Sequence, residues 1–135
     1  MAILVFVFGT LKEGFPNFAT NGGTWLPGVF VTYERFPLYL VGERHSPWLL
    51  NCPGQGERVL GQVFEVSAQT LERMDVLERV REPDGYERIG VRVAQQSSQH
   101  AASLTAFAYA KHPTPLTGTL IQAGPLAEYT LKHAV

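Results

Sequence analysis

The chain opens on a block of seven apolar residues, 2–8 (AILVFVF), that stops at Gly9. A run without alternation, rich in β-branched and aromatic side chains, predicts a central strand covered on both faces. Residues 25–34 and 36–41 are strand-like, with Pro27 and Pro37 pushing their ends towards an edge or a bulge. Residues 58–66 (RVLGQVFEV) and 104–110 (LTAFAYA) predict further strands. Residues 86–93 (YERIGVRV) alternate and predict a half-buried strand. Between these lie breaker-rich loops, of which 42–58 is the longest, and long loops in compact domains tend to carry function. The period changes to helical most clearly at 68–79, where Ser67 supplies an N-cap. A short helix is expected in the tail, 125–135. About six strands with one main helix predict an α+β domain built on a curled or barrel-like sheet, and 135 residues suit a single domain spanning 1–135.

The predicted helix contains an anomaly. With Ala68 set at 0°, Leu71 falls at about 300° and Met74 at about 240°, so the apolar sector centres near about 270°. Glu78 lands inside that sector at about 280°, where a Leu or Val is expected, and Asp75 lands at its edge. One explanation is that the helix ends before Glu78; another is an ion pair with Arg81 or Arg88. A third is a carboxylate held in a partly apolar pocket, where loss of hydration raises its pKa and suits it to general acid–base work.

Composition narrows the function classes. The net charge is −1, which leaves no electrostatic footprint for nucleic acid or a membrane surface. A single cysteine, Cys52, cannot staple the fold internally and points to a reducing, cytoplasmic setting. The apolar run at 2–8 lacks a preceding basic segment and is too short for a signal peptide core or a membrane span. His45, His100, His112 and His133 show no ligand spacing, so no metal site is expected. Cys52 sits in a Gly/Pro-rich context without a thiolate-stabilising feature, which argues against a nucleophile.

Three blocks carry a resemblance. Phe8-Gly9-Thr10-Leu11 closes the first strand and resembles the Tyr/Phe-Gly-Thr-Leu signature of the γ-glutamylcyclotransferase-like superfamily. Residues 42–66 resemble the Pro-Trp-Leu plus Gly-x-Val/Leu-x-Gly-x-Val-Tyr block of its γ-glutamylamine cyclotransferase branch. Residues 71–88 (LERMDVLERVREPDGYER) resemble the Leu-Asp-x-x-Glu…Tyr-x-Arg block that carries the family's catalytic glutamate. Phe8 replaces the more usual tyrosine and so lacks its hydroxyl, and Met74 replaces a leucine. The continuation Thr10-Leu11-Lys12 differs from the Gly-Ser-Leu form of the glutathione-specific branch and favours the amine branch.

The resemblance implies a small mixed β-barrel with helices packed around it, and a cofactor-free reaction. In that reaction a γ-glutamyl amine such as γ-glutamyl-ε-lysine cyclises to 5-oxoproline and releases its amine. The block match places the catalytic acid/base on Glu78. A glycine-opened turn presenting consecutive N–H groups suits a developing oxyanion or a carboxylate, which makes Gly9, Thr10 and Leu11, with Phe8, the candidate substrate-binding turn. Asp75, at i−3 from Glu78, is read as a residue that holds its neighbours rather than as a second acid. Tyr86 is a candidate pocket wall or a sheet-face tyrosine. Trp48 is a candidate wall on the leaving-amine side or a capping core residue. Tyr109 shares the face of Phe107 by period two and is a core residue or a substrate contact. The expected partner is a small γ-glutamyl compound.

Overall fold

The computed structural model describes residues 3–9, 22–42, 46–83, 85–96, 103–112 and 121–129. Its elements run β1 (Ile3–Val7), β2 (Thr24–Thr32), β3 (Leu38–Val41), β4 (Ser46–Leu49), β5 (Leu60–Val66), α1 (Ala68–Leu77), β6 (Glu87–Gln95), β7 (Leu104–Ala110) and β8 (Ile121–Ala123). The expected mixed sheet with one helix is found, but with eight strands among the described residues rather than about six. The two additions, β4 and β8, are short. β4 carries Pro47 and lies at the edge of a three-stranded sheet ordered β4-β3-β8, where the missing N–H costs no ladder bond on the open side.

The other five strands pair in the order β1-β5-β2-β6-β7, and β7 meets β1 again in parallel at Phe107 and Val5. Each of these strands therefore has two faces to satisfy. Phe6 and Phe8 join an inner cluster with Phe30, Leu38, Val63, Val93 and the small residues Ala106, Ala108 and Ala110 of β7. Val5 and Val7 join an outer cluster with Phe64, Val66, Leu71, Met74 and Tyr109. Both faces of β1 are thus covered, which accounts for an apolar run without alternation.

The helix forms the cover. Ser67 accepts the N–H of Thr70 at 3.1 Å, the expected N-cap. Thr70, Leu71 and Met74 are its buried residues, and full burial of a Leu- or Met-sized side chain contributes roughly 2 kcal/mol. The helix stops at Leu77, two residues short of the expected end, so Glu78 is its C-cap. Of the tail expected to form a short helix, 125–129 are not helical and 130–135 lie outside the described residues. Leu126 N–H donates to the Leu38 carbonyl, Leu60 N–H donates to the Ala127 carbonyl, and Tyr129 is buried in the inner cluster. Bonds to the strands replace the helical bonds the segment would otherwise make. Among the described residues no helix is long and apolar enough to cross a membrane.

Candidate active site

The end of the helix shapes the site. Val80 N–H bonds to the Asp75 carbonyl at 3.0 Å and Arg79 N–H to the Val76 carbonyl at 3.1 Å, with Arg79 at φ 57°. This is a Schellman motif in which arginine takes the left-handed position usually given to glycine. Glu78 itself keeps φ −85° and ψ 0°, and its N–H still closes a bond to Met74 O. The helical projection therefore holds for one residue past the helix, although α1 ends where the simplest alternative placed it.

The chain then doubles back. Tyr86 N–H donates to the Glu78 carbonyl at 2.9 Å, closing the 78–86 segment into a loop. A Cβ at Gly85 would stand 1.7 Å from the Arg79 carbonyl oxygen, so only glycine fits this closure. Tyr86 is fixed at its other end as well, because its hydroxyl donates to the Pro47 carbonyl at 2.9 Å. That bond ties the loop to β4 and sets Tyr86 near Trp48.

Lys111 follows β7 and joins the two sheets. Its N–H donates to the Leu49 carbonyl at 2.6 Å, and its carbonyl accepts Asn51 N–H at 2.8 Å. The side chain is buried, with Nζ 4.6 Å from the Trp48 ring centroid and 4.7 Å from that of Tyr86. Such contacts contribute about 0.5–2 kcal/mol each, more when water is excluded.

Glu78, Lys111, Trp48, Tyr86, Leu77 and Gly85 line one cleft of about 500 Å³. Burial lifts the Glu78 carboxyl from its ordinary 4.5 to about 7, and the Lys111 charge offsets part of that rise. Burial, followed by the neighbouring Glu78 carboxyl, pushes the Tyr86 phenol well up, so it remains a hydrogen-bond donor.

Of the residues singled out from the sequence, Glu78, Tyr86 and Trp48 share this cleft. Gly9 is buried against β4, where a Cβ would lie 3.0 Å from Pro47 Cγ, and it does not line the cleft. Thr10 and Leu11 lie outside the described residues. The Phe8 side chain packs in the inner cluster, its ring 6.5 Å from that of Phe6. Tyr109 and Asp75 stand next to the cleft without lining it: the Tyr109 hydroxyl donates to Asp75 Oδ1 at 2.6 Å, and Arg88 Nη1 to Asp75 Oδ2 at 2.6 Å. Burial raises the Tyr109 phenol first, and its bond to Asp75 raises it further. Arg88, one of the partners considered for Glu78, pairs with Asp75 instead.

Sequence reasoning missed Lys111. The signal was the period of β7: Ala106, Ala108 and Ala110 face the inner cluster, and Phe107 and Tyr109 face outward. One further step places Lys111 on the face of Tyr109.

The fold and the helix-end cleft together define a small α+β domain of the AIG2-like type. The crystal structure of an AIG2-like protein from Mus musculus is similar at a TM-score of 0.77 and 30% identity, over 96% of this chain and 88% of that one. Gamma-glutamylaminecyclotransferase of Bos taurus is 37% identical over 114 residues, 81% of this chain and 67% of the relative. Gamma-glutamylaminecyclotransferase B of Danio rerio is 42% identical over 90 residues, 63% of this chain. The chain spans only 46% of the length of that second relative. The family model described as gamma-glutamyl cyclotransferase, AIG2-like, matches residues 5–128, and the chain belongs to that family. The match encloses all three blocks on which the resemblance rested.

Proposed function

We propose that the protein is a γ-glutamylamine cyclotransferase: the α-amine of a γ-glutamyl amine attacks its own γ-carbonyl, forming 5-oxoproline and releasing the free amine. The observation that carries this reading is a partly buried Glu78 whose carboxyl titrates at about 7 on the wall of a small-molecule-sized cleft.

The substrate nucleophile arrives as an ammonium, held more basic than a chain N-terminus by the free α-carboxylate on the same carbon. Passing its proton to a carboxyl at about 7 costs roughly 3.4 kcal/mol less than passing it to an ordinary glutamate at 4.5. The raised value also keeps the acid competent for the second transfer. When the tetrahedral intermediate collapses, the C–N bond to the alkylamine breaks, Glu78 gives its proton to that nitrogen, and the freed carboxylate takes the second proton of the ring nitrogen, which leaves with the amine. Ring closure is intramolecular, so the cleft mainly has to fold the substrate into its attacking conformer. Backbone N–H groups of the turn at Gly9, Thr10 and Leu11 donate to the γ-carbonyl oxygen as it gains charge. Trp48 and Tyr86 wall the cleft, while Asp75 and Tyr109 brace the helix end behind it. We read the ring of five strands as the small barrel implied by the resemblance, the chain as one domain, and the cytoplasm as its setting.

The test is 5-oxoproline release from a panel of γ-glutamyl amines, γ-glutamyl dipeptides and glutathione. γ-Glutamyl-ε-lysine should be turned over, and Glu78→Gln should lower the rate by roughly 10²–10⁴-fold with the fold intact. Parental turnover by that variant would strike out Glu78. Selective turnover of dipeptides would move the substrate class to another γ-glutamyl compound.

A further inference from the structure

The chemistry above employs Glu78 and gives Lys111 no task. Yet Lys111 is the more elaborately held of the two. Its backbone is bonded on both sides to Leu49 and Asn51, only 7% of its surface is exposed, and its ammonium rests against two aromatic rings on the cleft wall. A lysine normally spends side-chain entropy on binding, but one already clamped has lost that freedom beforehand.

A γ-glutamyl head group carries an α-ammonium and an α-carboxylate on the same carbon. If its nitrogen is delivered to Glu78, its carboxylate must come to rest one carbon away. A carboxylate entering a partly apolar cleft loses hydration, and a cation or several N–H donors must offset that loss. Among the described residues, the cations lining this cleft are Arg79, which is exposed, and Lys111, which is buried. The Lys111 charge is felt at Glu78, so the two groups lie within electrostatic reach of each other.

We propose that the Lys111 ammonium, steadied by the Trp48 and Tyr86 rings, binds the α-carboxylate of the substrate, so that Glu78 and Lys111 together read the two charges of an α-amino acid head group. This rests on the cyclotransferase reading and adds a specificity-determining residue to it. An acyl amide lacking the α-carboxylate forgoes this charge contact and binds more weakly.

The experiment is a pair of binding titrations followed by NMR on the Glu78→Gln protein, which removes turnover. The ligands are γ-glutamylpropylamide and 4-amino-N-propylbutanamide, which differ only in the α-carboxylate. The Glu78→Gln protein should prefer the first by tenfold or more. Adding Lys111→Met should abolish the preference, and adding Lys111→Arg should keep most of it. If the methionine variant does not give a folded amide spectrum, Lys111→Gln is held to the same criterion. A tenfold preference that survives loss of the lysine charge overturns the proposal, as does the absence of any preference in the Glu78→Gln protein itself. The parent protein separates this outcome from the reaction: if it releases no 5-oxoproline while the Lys111-dependent preference stands, the reaction fails and the contact survives. If it turns substrate over with no dependence on Lys111, the reaction stands and the contact is overturned.

Discussion

The hydroxyl of Tyr109 lies 2.6 Å from Oδ1 of Asp75. With Arg88 on the other oxygen, the carboxylate links β7 and β6 to the last turn of the helix, one turn ahead of Glu78. Tyr109→Phe removes one donor and leaves the ring packing in place. A hydrogen bond to a charged group contributes about 1.5–3 kcal/mol, and partial exposure of Asp75 brings the expected loss nearer about 1 kcal/mol. Urea unfolding of parent and variant measures it; an unchanged midpoint would mean that Asp75 is braced by Arg88 alone.

Gly85 is the second test of how Glu78 is placed. Alanine there must displace the Arg79 carbonyl, and overpacking of this kind costs about 1–3 kcal/mol. The shift acts on the loop closed by the Tyr86–Glu78 bond, so turnover should fall as well as stability. A Gly85→Ala protein with parental kinetics would show that the cleft tolerates a moved loop.

Arg79 offers the opposite sign. A left-handed conformation costs a non-glycine residue roughly 1–2 kcal/mol, while glycine loosens the unfolded chain by about 0.4–1 kcal/mol. Arg79→Gly should therefore raise the melting temperature slightly, by roughly 2–4 °C. A lower melting temperature would show that the contacts of the arginine side chain outweigh its backbone strain.

The titration of Glu78 links stability to pH. Its folded value, about 7, lies above the ordinary 4.5, so in between the folded state holds the proton while the unfolded state releases it. Stability should fall as pH rises through that window, with no penalty below it and the full penalty above. Glu78→Gln removes the term, so the variant should lose less stability between about pH 5 and about pH 8 and exceed the parent at the upper end. Parallel stability curves for the two proteins would contradict a buried carboxyl.

The same group sets a kinetic limb. If the carboxylate is the base, kcat/KM for γ-glutamyl-ε-lysine should rise with pH through about 7 rather than level off near 4.5. A rate already flat by about pH 5.5 would assign the base to another residue.

The fold was legible wherever one period dominated. The unbroken run in β1, the alternation in β6 and the Ser67 cap each follow from a local pattern that the tertiary structure reinforces. β4 escaped because Pro47 and the surrounding glycines describe a loop, and only pairing with β3 makes residues 46–49 a strand. Glu78 was legible because a C-cap retains near-helical geometry, and the family block pointed to the same residue. Lys111 was only half legible: the period of β7 gives its face, but its neighbours come from a bridge to Leu50, which is 61 positions away in the chain. Periodicity carries no information about a partner that distant.

That bridge has a consequence for how the molecule opens. Trp48 belongs to the small sheet, Lys111 to the end of the large one and Glu78 to the helix, so the cleft is a seam between three pieces rather than a hollow inside one. The bonds at Leu49, Asn51 and Lys111 are the stitches of that seam. Cooperative opening of such a unit exposes its amides together. In native-state hydrogen exchange, the N–H groups of Asn51 and Lys111 should report one shared opening free energy, below that of β1. The cleft would then come apart, and turnover cease, while the inner cluster was still folded.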